Sequence, residues 1–201
     1  MDDPDQILQE AEYNLKAAYA GYKQYKSKEG EMKMIGLRNA VTFGRSVTFI
    51  LQNLRGKVNG DFEDWYEDRQ EVLMSDEVAQ KMDDLRNRIE KGSDEASVAN
   101  YAKIDYLNSN DLYRMMPPWA DSMFIGDQYG GSGYEVELAD GSTEKFYVEL
   151  PEEIAVETGL YITNEDSTDF SEITDAEDDL EYYLKILAEI VSDAKNKFGS
   201  E

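Results

Sequence analysis

The chain has 201 residues and carries 44 acidic residues against 20 basic ones, which gives a formal net charge of −24. This length allows one substantial hydrophobic core, and the hydrophobic content of 41% is that of a folded protein. A surface of this charge repels phosphate backbones, so nucleic acid is excluded as a partner except at a local basic cleft. Cysteine and histidine are both absent. Their absence excludes disulfides, thiol and imidazole catalysis, and the zinc and iron sites that need those ligands.

The beginning of the chain and its apolar runs bear on localisation. Residues 1–5 are acidic, where a signal peptide would be basic. No apolar run approaches the roughly 20 residues that a membrane-spanning helix needs. The sequence therefore predicts a cytoplasmic protein with no membrane association, no cofactor and no metal.

Hydrophobic periodicity predicts four amphipathic helices. The first begins with Asp3 as N-cap and Pro4 at the first helical position, and it ends near Lys28. The second runs from about 31 to 54 and is apolar over a wide arc that includes Phe43. This wide arc predicts that the second helix is the most buried of the four.

The third and last helices have their own boundary signals. The third begins near Asp61, pauses at 75–76, and continues to Lys91 and a glycine stop at position 92. The last opens with capping-box spacing at 174–177 and stops at Gly199. Four helices of this kind predict an antiparallel bundle.

The hydrophobic period changes to that of strands between the third and last helices. Residues 134–138 and 146–150 alternate around Asp140-Gly141, a strong hairpin turn signal. A lone hairpin is marginal in water, so it must pack on the bundle or on a third strand, and residues 161–162 are one candidate for that strand.

The expected fold class is mainly α. It is an antiparallel four-helix bundle, formed by 3–92 and 172–199, with a small β-hairpin insertion at about 118–165 before the last helix. The whole chain, 1–201, is predicted to form a single domain.

The second helix carries polar residues in an unusual arrangement. Arg38, Thr42, Arg45, Phe49 and Gln52 are spaced by four, three, four and three residues, so they share one face. One interpretation is that the two arginines form ion pairs with acidic residues of neighbouring helices. The other is an anion-binding or dimer-facing stripe, because arginine offers a rigid fork for carboxylate or phosphate.

The end of the third helix carries the motif with the most specific implication. An arginine and a polar residue, Arg86 and Asn87, lie in a Leu-Arg-Asn-x-Ile segment near the end of the third of four helices. This arrangement resembles the HEPN superfamily, whose members are helical bundles, usually dimeric, found in toxin–antitoxin, antiviral and stress systems. Many are metal-independent RNA endonucleases. Their motif continues with a histidine four to six residues later, and this chain has none; the window holds Lys91, Gly92 and Ser93.

Three functions follow as hypotheses. The first is a non-catalytic, HEPN-like homodimer that binds a protein partner or regulates a stress or defence system, with Arg38, Arg45 and Arg86 as the anion- or partner-binding residues. The second is a metal-independent RNA endonuclease, with Arg86, Asn87 and Lys91 as the catalytic candidates. The third is a small-ligand binder with a pocket between hairpin and bundle, lined by Trp119, Phe124, Tyr134 and Tyr147.

Overall fold

Five α-helices dominate the described residues of the computed structural model, which are 3–58, 60–91, 98–104, 114, 116–149, 156–162 and 175–200. The helices are α1 Pro4–Ser27, α2 Gly30–Gln52, α3 Phe62–Ser75, α4 Glu77–Glu90 and α5 Ala176–Phe198. The chain is therefore mainly helical, as its periodicity predicted. Within the described part of the chain, none of these helices combines the length and apolar character needed to cross a bilayer.

The first two helices form a closely packed antiparallel pair. Asp3 is the N-cap of α1 and Pro4 its first residue, as predicted. Lys28 ends α1 in an extended conformation, and Gly30, with a φ of +58°, begins α2. The predicted apolar seam of α1 is buried: Leu8, Ala11, Leu15, Ala18, Tyr22 and Tyr25.

The predicted third helix is two helices, so the expected count of four is corrected to five within the described ranges. Asp76 has an extended conformation (φ −91°, ψ 119°), which ends α3 at the predicted pause. Its side-chain Oδ1 accepts a hydrogen bond from the backbone N–H of Ala79 at 2.8 Å and so caps α4. Its Oδ2 accepts a hydrogen bond from the Tyr182 hydroxyl at 2.8 Å, which ties this break to α5.

The last helix contributes much of the core. Its buried side chains include Leu180, Leu184, Leu187, Val191 and Ala194. It runs antiparallel to α1, since Tyr22 bonds Glu181 near one end and Lys195 bonds Glu12 near the other. The predicted stop at Gly199 is confirmed; the predicted capping residue at position 174 lies outside the described residues.

Two small antiparallel sheets lie between α4 and α5 in the chain. The strands are β1 Val98–Ile104, β2 Ser122–Phe124, β3 Gly133–Glu137, β4 Thr143–Tyr147 and β5 Val156–Ile162. One sheet has the order β2-β3-β4, and the other pairs β1 with β5. Residues 161–162 do lie in a strand, but that strand does not join the hairpin. Tyr161 pairs with Ala99 of β1, and the hairpin takes β2 as its third strand.

The predicted hairpin itself is present. β3 and β4 pair from Gly133↔Tyr147 to Glu137↔Thr143. The backbone N–H of Leu138 donates to the Ser142 carbonyl at 2.7 Å, so the loop is longer than a two-residue turn. Gly141 has a φ of +82°, a conformation that glycine adopts without the strain a Cβ would bring.

The chain divides into two compact units. The helical unit comprises Met1–Lys28, Met32–Ser97 and Glu177–Glu201. The sheet unit comprises Glu29–Glu31 and Val98–Ala176, and so begins well before the insertion boundary predicted at about 118. That these units act as one domain stays a prediction.

Candidate functional site

Helices α2 and α4 bring two of the predicted arginines onto one aromatic ring. The Cζ atom of Arg45 lies 4.5 Å from the centre of the Phe49 ring, and the Cζ atom of Arg86 lies 5.8 Å from the same centre. Both distances are within the range of cation–π attraction. We call Arg45, Phe49 and Arg86 the arginine–phenylalanine cluster.

Each arginine of this cluster also contacts a carboxylate of the helical unit. Arg45 Nε lies 2.7 Å from Asp83 Oδ1, and Arg45 Nη1 donates to Thr48 Oγ1 at 3.0 Å. Arg86 Nη2 lies 2.7 Å from Glu90 Oε1, one turn later on α4. Both guanidinium charges are therefore balanced by carboxylates of the same chain. The Arg45–Asp83 pair joins two helices, as the ion-pair interpretation of α2 expects for Arg45.

The remaining predicted site residues are placed less centrally. Asn87 is half-buried, and its Oδ1 accepts a hydrogen bond from Arg86 Nη1 at 3.0 Å. Lys91 reaches this pair through its backbone N–H, which donates to the Asn87 carbonyl at 3.2 Å, while its side chain is exposed. Arg38 lies two turns before Arg45 on α2 and is exposed. The structure thus joins Arg45 with Arg86, and Arg86 with Asn87.

The outward side of α2 is a surface that the sequence interpretation missed. Apolar side chains are exposed along it: Met32 (50% exposed), Ile35 (37%), Phe43 (37%) and Phe49 (43%). Asn39 and Ser46 complete the three- and four-residue spacing, and we call these six residues the α2 apolar face. The prediction that Phe43 belongs to the core was wrong. The sequence feature that indicates this surface is a lack of acidic residues: residues 32–60 contain none, although the chain has 44.

A cleft beside the cluster lies between the α3–α4 junction, α2 and α5. It has a volume of about 200 Å³ and is lined by Arg45, Thr48, Leu73, Met74, Ala79, Gln80, Asp83, Asp84 and Tyr183. Burial raises the pKa of the Tyr183 phenol, with the nearby charges of Arg45 and Asp83 acting in opposite directions. Within the described ranges, no group of three or more acidic side chains is placed to hold a metal ion. We call this space the Tyr183 cleft.

The four aromatic residues of the predicted ligand pocket pack as separate groups in the sheet unit. Trp119 contacts Tyr134 edge to face, with ring centres 5.7 Å apart. Phe124 and Tyr147 meet edge to face at 5.5 Å, and both are paired with Gly133, whose lack of a side chain lets them meet. Because neighbouring residues of a strand point to opposite faces, the two groups lie on opposite sides of the sheet. The structure does not bring the four rings to one pocket.

Comparison with known proteins identifies one family. A family model described as bacteriophage lambda protein ea47 matches residues 16–121, which is more than half of the chain. The matched range includes all of α2, α3 and α4, and hence the α2 apolar face and the arginine–phenylalanine cluster. No curated protein and no solved structure shows a significant match. On the extent of this match, the chain belongs to the bacteriophage lambda protein ea47 family.

Proposed function

We propose that this chain is a non-catalytic, HEPN-like interaction module that forms a homodimer through the α2 apolar face. The observation that carries the proposal is the face itself. It runs along a helix of 23 residues, about 35 Å long; four of its six side chains are large, apolar and exposed, and none of the six is acidic. In this proposal α3 and α4 together act as the third helix of a four-helix bundle.

A second copy of the chain is the partner that suits this face best. Two chains of charge −24 repel each other wherever their acidic surfaces meet. The α2 apolar face is a surface on which they can meet without placing carboxylates opposite each other. A basic partner would be drawn to the acidic surfaces instead, and an acidic partner or a nucleic acid would be repelled by them. An uncharged apolar face therefore favours association with its own copy.

The cluster beside this face supports a binding role over a catalytic one. Arg45 and Arg86 each contact the exposed Phe49 ring, so they hold an apolar side chain at the margin of the face. Arginine and phenylalanine are enriched at protein interfaces. With both charges balanced by carboxylates, the cluster adds no net charge that two copies would have to bury. The HEPN resemblance suggests a regulatory role in a cytoplasmic stress or defence system.

The salt dependence of the dimer tests this proposal. We expect sedimentation velocity to show a monomer–dimer equilibrium whose dimer becomes at least about tenfold tighter as the salt concentration rises. The reason is that the Debye length falls from about 10 Å at 0.1 M salt to about 3 Å at 1 M, which screens repulsion between the acidic surfaces but leaves apolar contact intact. A chain that stays monomeric at hundreds of micromolar in 1 M salt would contradict the proposal.

The alternative function is a metal-independent RNA endonuclease that uses Arg86 and Asn87. The meeting of Arg45 and Arg86 on one ring favours it, and their pairing with Asp83 and Glu90 opposes it. We expect no cleavage of structured or single-stranded RNA in a metal-free buffer, measured by gel electrophoresis. Arg86→Ala should lower the free energy of unfolding by about 1 kcal/mol or less, because its ion pair is partly exposed. Cleavage that is lost in Arg86→Ala would instead establish the nuclease.

A further inference from the structure

Several donors of the Tyr183 cleft are already engaged. Arg45 contacts Asp83 through Nε and Thr48 through Nη1. The Thr48 hydroxyl donates to the Arg45 carbonyl at 2.9 Å, and the side-chain amide of Gln80 donates to the Met74 carbonyl. A ligand in the cleft would therefore find few N–H or O–H groups to bind.

The hydrogen-bond acceptors of the cleft, in contrast, can still accept hydrogen bonds. Asp84 is exposed and makes no hydrogen bond or ion pair with any residue that the structure describes. Asp83 contacts Arg45, yet its side chain remains 42% exposed. The cleft thus offers two carboxylates at its surface and only one cation, which one of those carboxylates already neutralises. An anion would be repelled here, and a cation with several N–H donors would be attracted.

The buried tyrosine of the cleft is the second and independent observation. Tyr183 is only 4% exposed, and within the described chain its hydroxyl has no hydrogen-bond partner. The hydroxyl oxygen itself keeps some access to solvent, and Tyr183 lines the cleft, so a ligand in the cleft can reach this oxygen. Arg45 and Asp83 line the same cleft as Tyr183. A tyrosine phenol, with an ordinary pKa of about 10, is neutral at pH 7, and its oxygen can accept a hydrogen bond from a ligand.

We propose that the Tyr183 cleft binds an aliphatic ammonium or guanidinium group, with Asp83 and Asp84 as anionic acceptors and the Tyr183 hydroxyl as a neutral acceptor. Leu73 and Met74 supply apolar contact for the aliphatic stem of the ligand. The volume of about 200 Å³ is smaller than the roughly 300–1,000 Å³ of pockets for drug-sized ligands, so a nucleotide would not fit. An ammonium or guanidinium group with an aliphatic stem of side-chain size would fit.

Two sources present this chemistry. One is a free small amine, and the other is a lysine or arginine side chain of a partner protein. The proposal does not depend on dimerisation, because none of the residues that line the cleft belongs to the α2 apolar face.

Calorimetric titration with agmatine, a guanidinium on an aliphatic amine, tests the cleft. At about 0.15 M salt, which shortens the Debye length to about 8 Å and so weakens general attraction to the acidic surface, we expect one site per chain. Asp84→Asn and Tyr183→Phe should each weaken binding about tenfold or more, and neither disturbs the Arg45–Asp83 pair. Glu10→Gln is the matched control, because Glu10 is exposed on α1 and the change removes the same charge as Asp84→Asn. It should leave binding unchanged.

A second arm of the titration distinguishes the sources. A short capped Gly-Arg-Gly peptide that binds more tightly than agmatine would identify a partner's side chain as the ligand, and the reverse order would identify a free amine. The proposal is overturned if neither probe binds at one site. It is equally overturned if Glu10→Gln weakens binding as much as Asp84→Asn, since that result would reduce the effect to general attraction by a chain of charge −24.

Discussion

Gly21→Ala and Gly36→Ala are each expected to destabilise the chain strongly, although alanine is the better helix former. A Cβ added at Gly21 would lie 2.5 Å from the backbone nitrogen of Ala40 and 2.8 Å from the Gly36 carbonyl oxygen. A Cβ added at Gly36 would meet the backbone nitrogen of Tyr25. Both glycines therefore lie where the backbones of α1 and α2 touch, and the obstacle is rigid main chain.

The magnitude follows from two opposing effects. Replacing glycine by alanine inside a helix gains up to about 1 kcal/mol from the entropy of the unfolded chain and from helix propensity. Forcing the two backbones apart would strain the buried packing around Ala18 and Tyr25, and overpacking of this kind costs about 1–3 kcal/mol or more. Because no side chain can rotate away, we expect steric strain to prevail. The free energy of unfolding should fall by about 2–3 kcal/mol in each variant.

Urea unfolding monitored by circular dichroism measures the change. Ala20→Gly is the control, because Ala20 is exposed on α1 beside Gly21 and reports helix propensity alone. It should cost about 1 kcal/mol or less. A gain in stability for Gly21→Ala or Gly36→Ala would show that α1 and α2 do not touch at these residues.

These glycines also explain why the buried side of α2 was only partly foreseen. In α1 and in α5 the apolar residues lie along a single face of the helix, so hydrophobic periodicity alone predicted which of their residues are buried. Helix α2 is apolar on two sides, and hydrophobic pattern cannot say which side meets the rest of the chain. The tightly packed side is marked by Gly36, Ala40 and Gly44, which have little hydrophobic weight, while Phe43 lies on the opposite side and is exposed. Small residues at close helix contacts were the signal that periodicity overlooks.

Contacts between segments that are distant in the chain were the other feature that the sequence did not predict. The hairpin was predicted because its turn is local, at Asp140-Gly141. Its third strand, Ser122–Phe124, has three residues and no alternating pattern, so nothing local distinguishes it from a loop. The same holds for the candidate site. Arg45 and Arg86 were each singled out, but their meeting on Phe49 depends on how α2 packs against α4.

Phe43→Asp is expected to weaken the proposed homodimer by at least about 100-fold and to leave folding nearly unchanged. In the proposed interface the new carboxylates would be removed from water on an apolar face that offers them no cation, and burying an unpaired charge costs several kcal/mol. A 100-fold loss of affinity corresponds to about 2.8 kcal/mol. In the monomer the side chain at position 43 is partly exposed, so the free energy of unfolding should change far less than for a core substitution.

Two further variants separate burial of the face from general repulsion, again by sedimentation velocity. Phe43→Lys lowers the net negative charge of the chain. If only charge repulsion limited the affinity of the dimer, this change would strengthen the dimer. If the α2 apolar face is the interface, it should weaken the dimer, as Phe43→Asp does. Tyr13→Asp adds the same charge as Phe43→Asp at a residue of α1 that is 72% exposed, and it should shift the dissociation constant only slightly. Two outcomes would exclude the α2 apolar face as the interface: equal effects of Tyr13→Asp and Phe43→Asp, or a tighter dimer with Phe43→Lys. Either outcome would mean that the dissociation constant depends on the total charge of the chain and not on burial of this face.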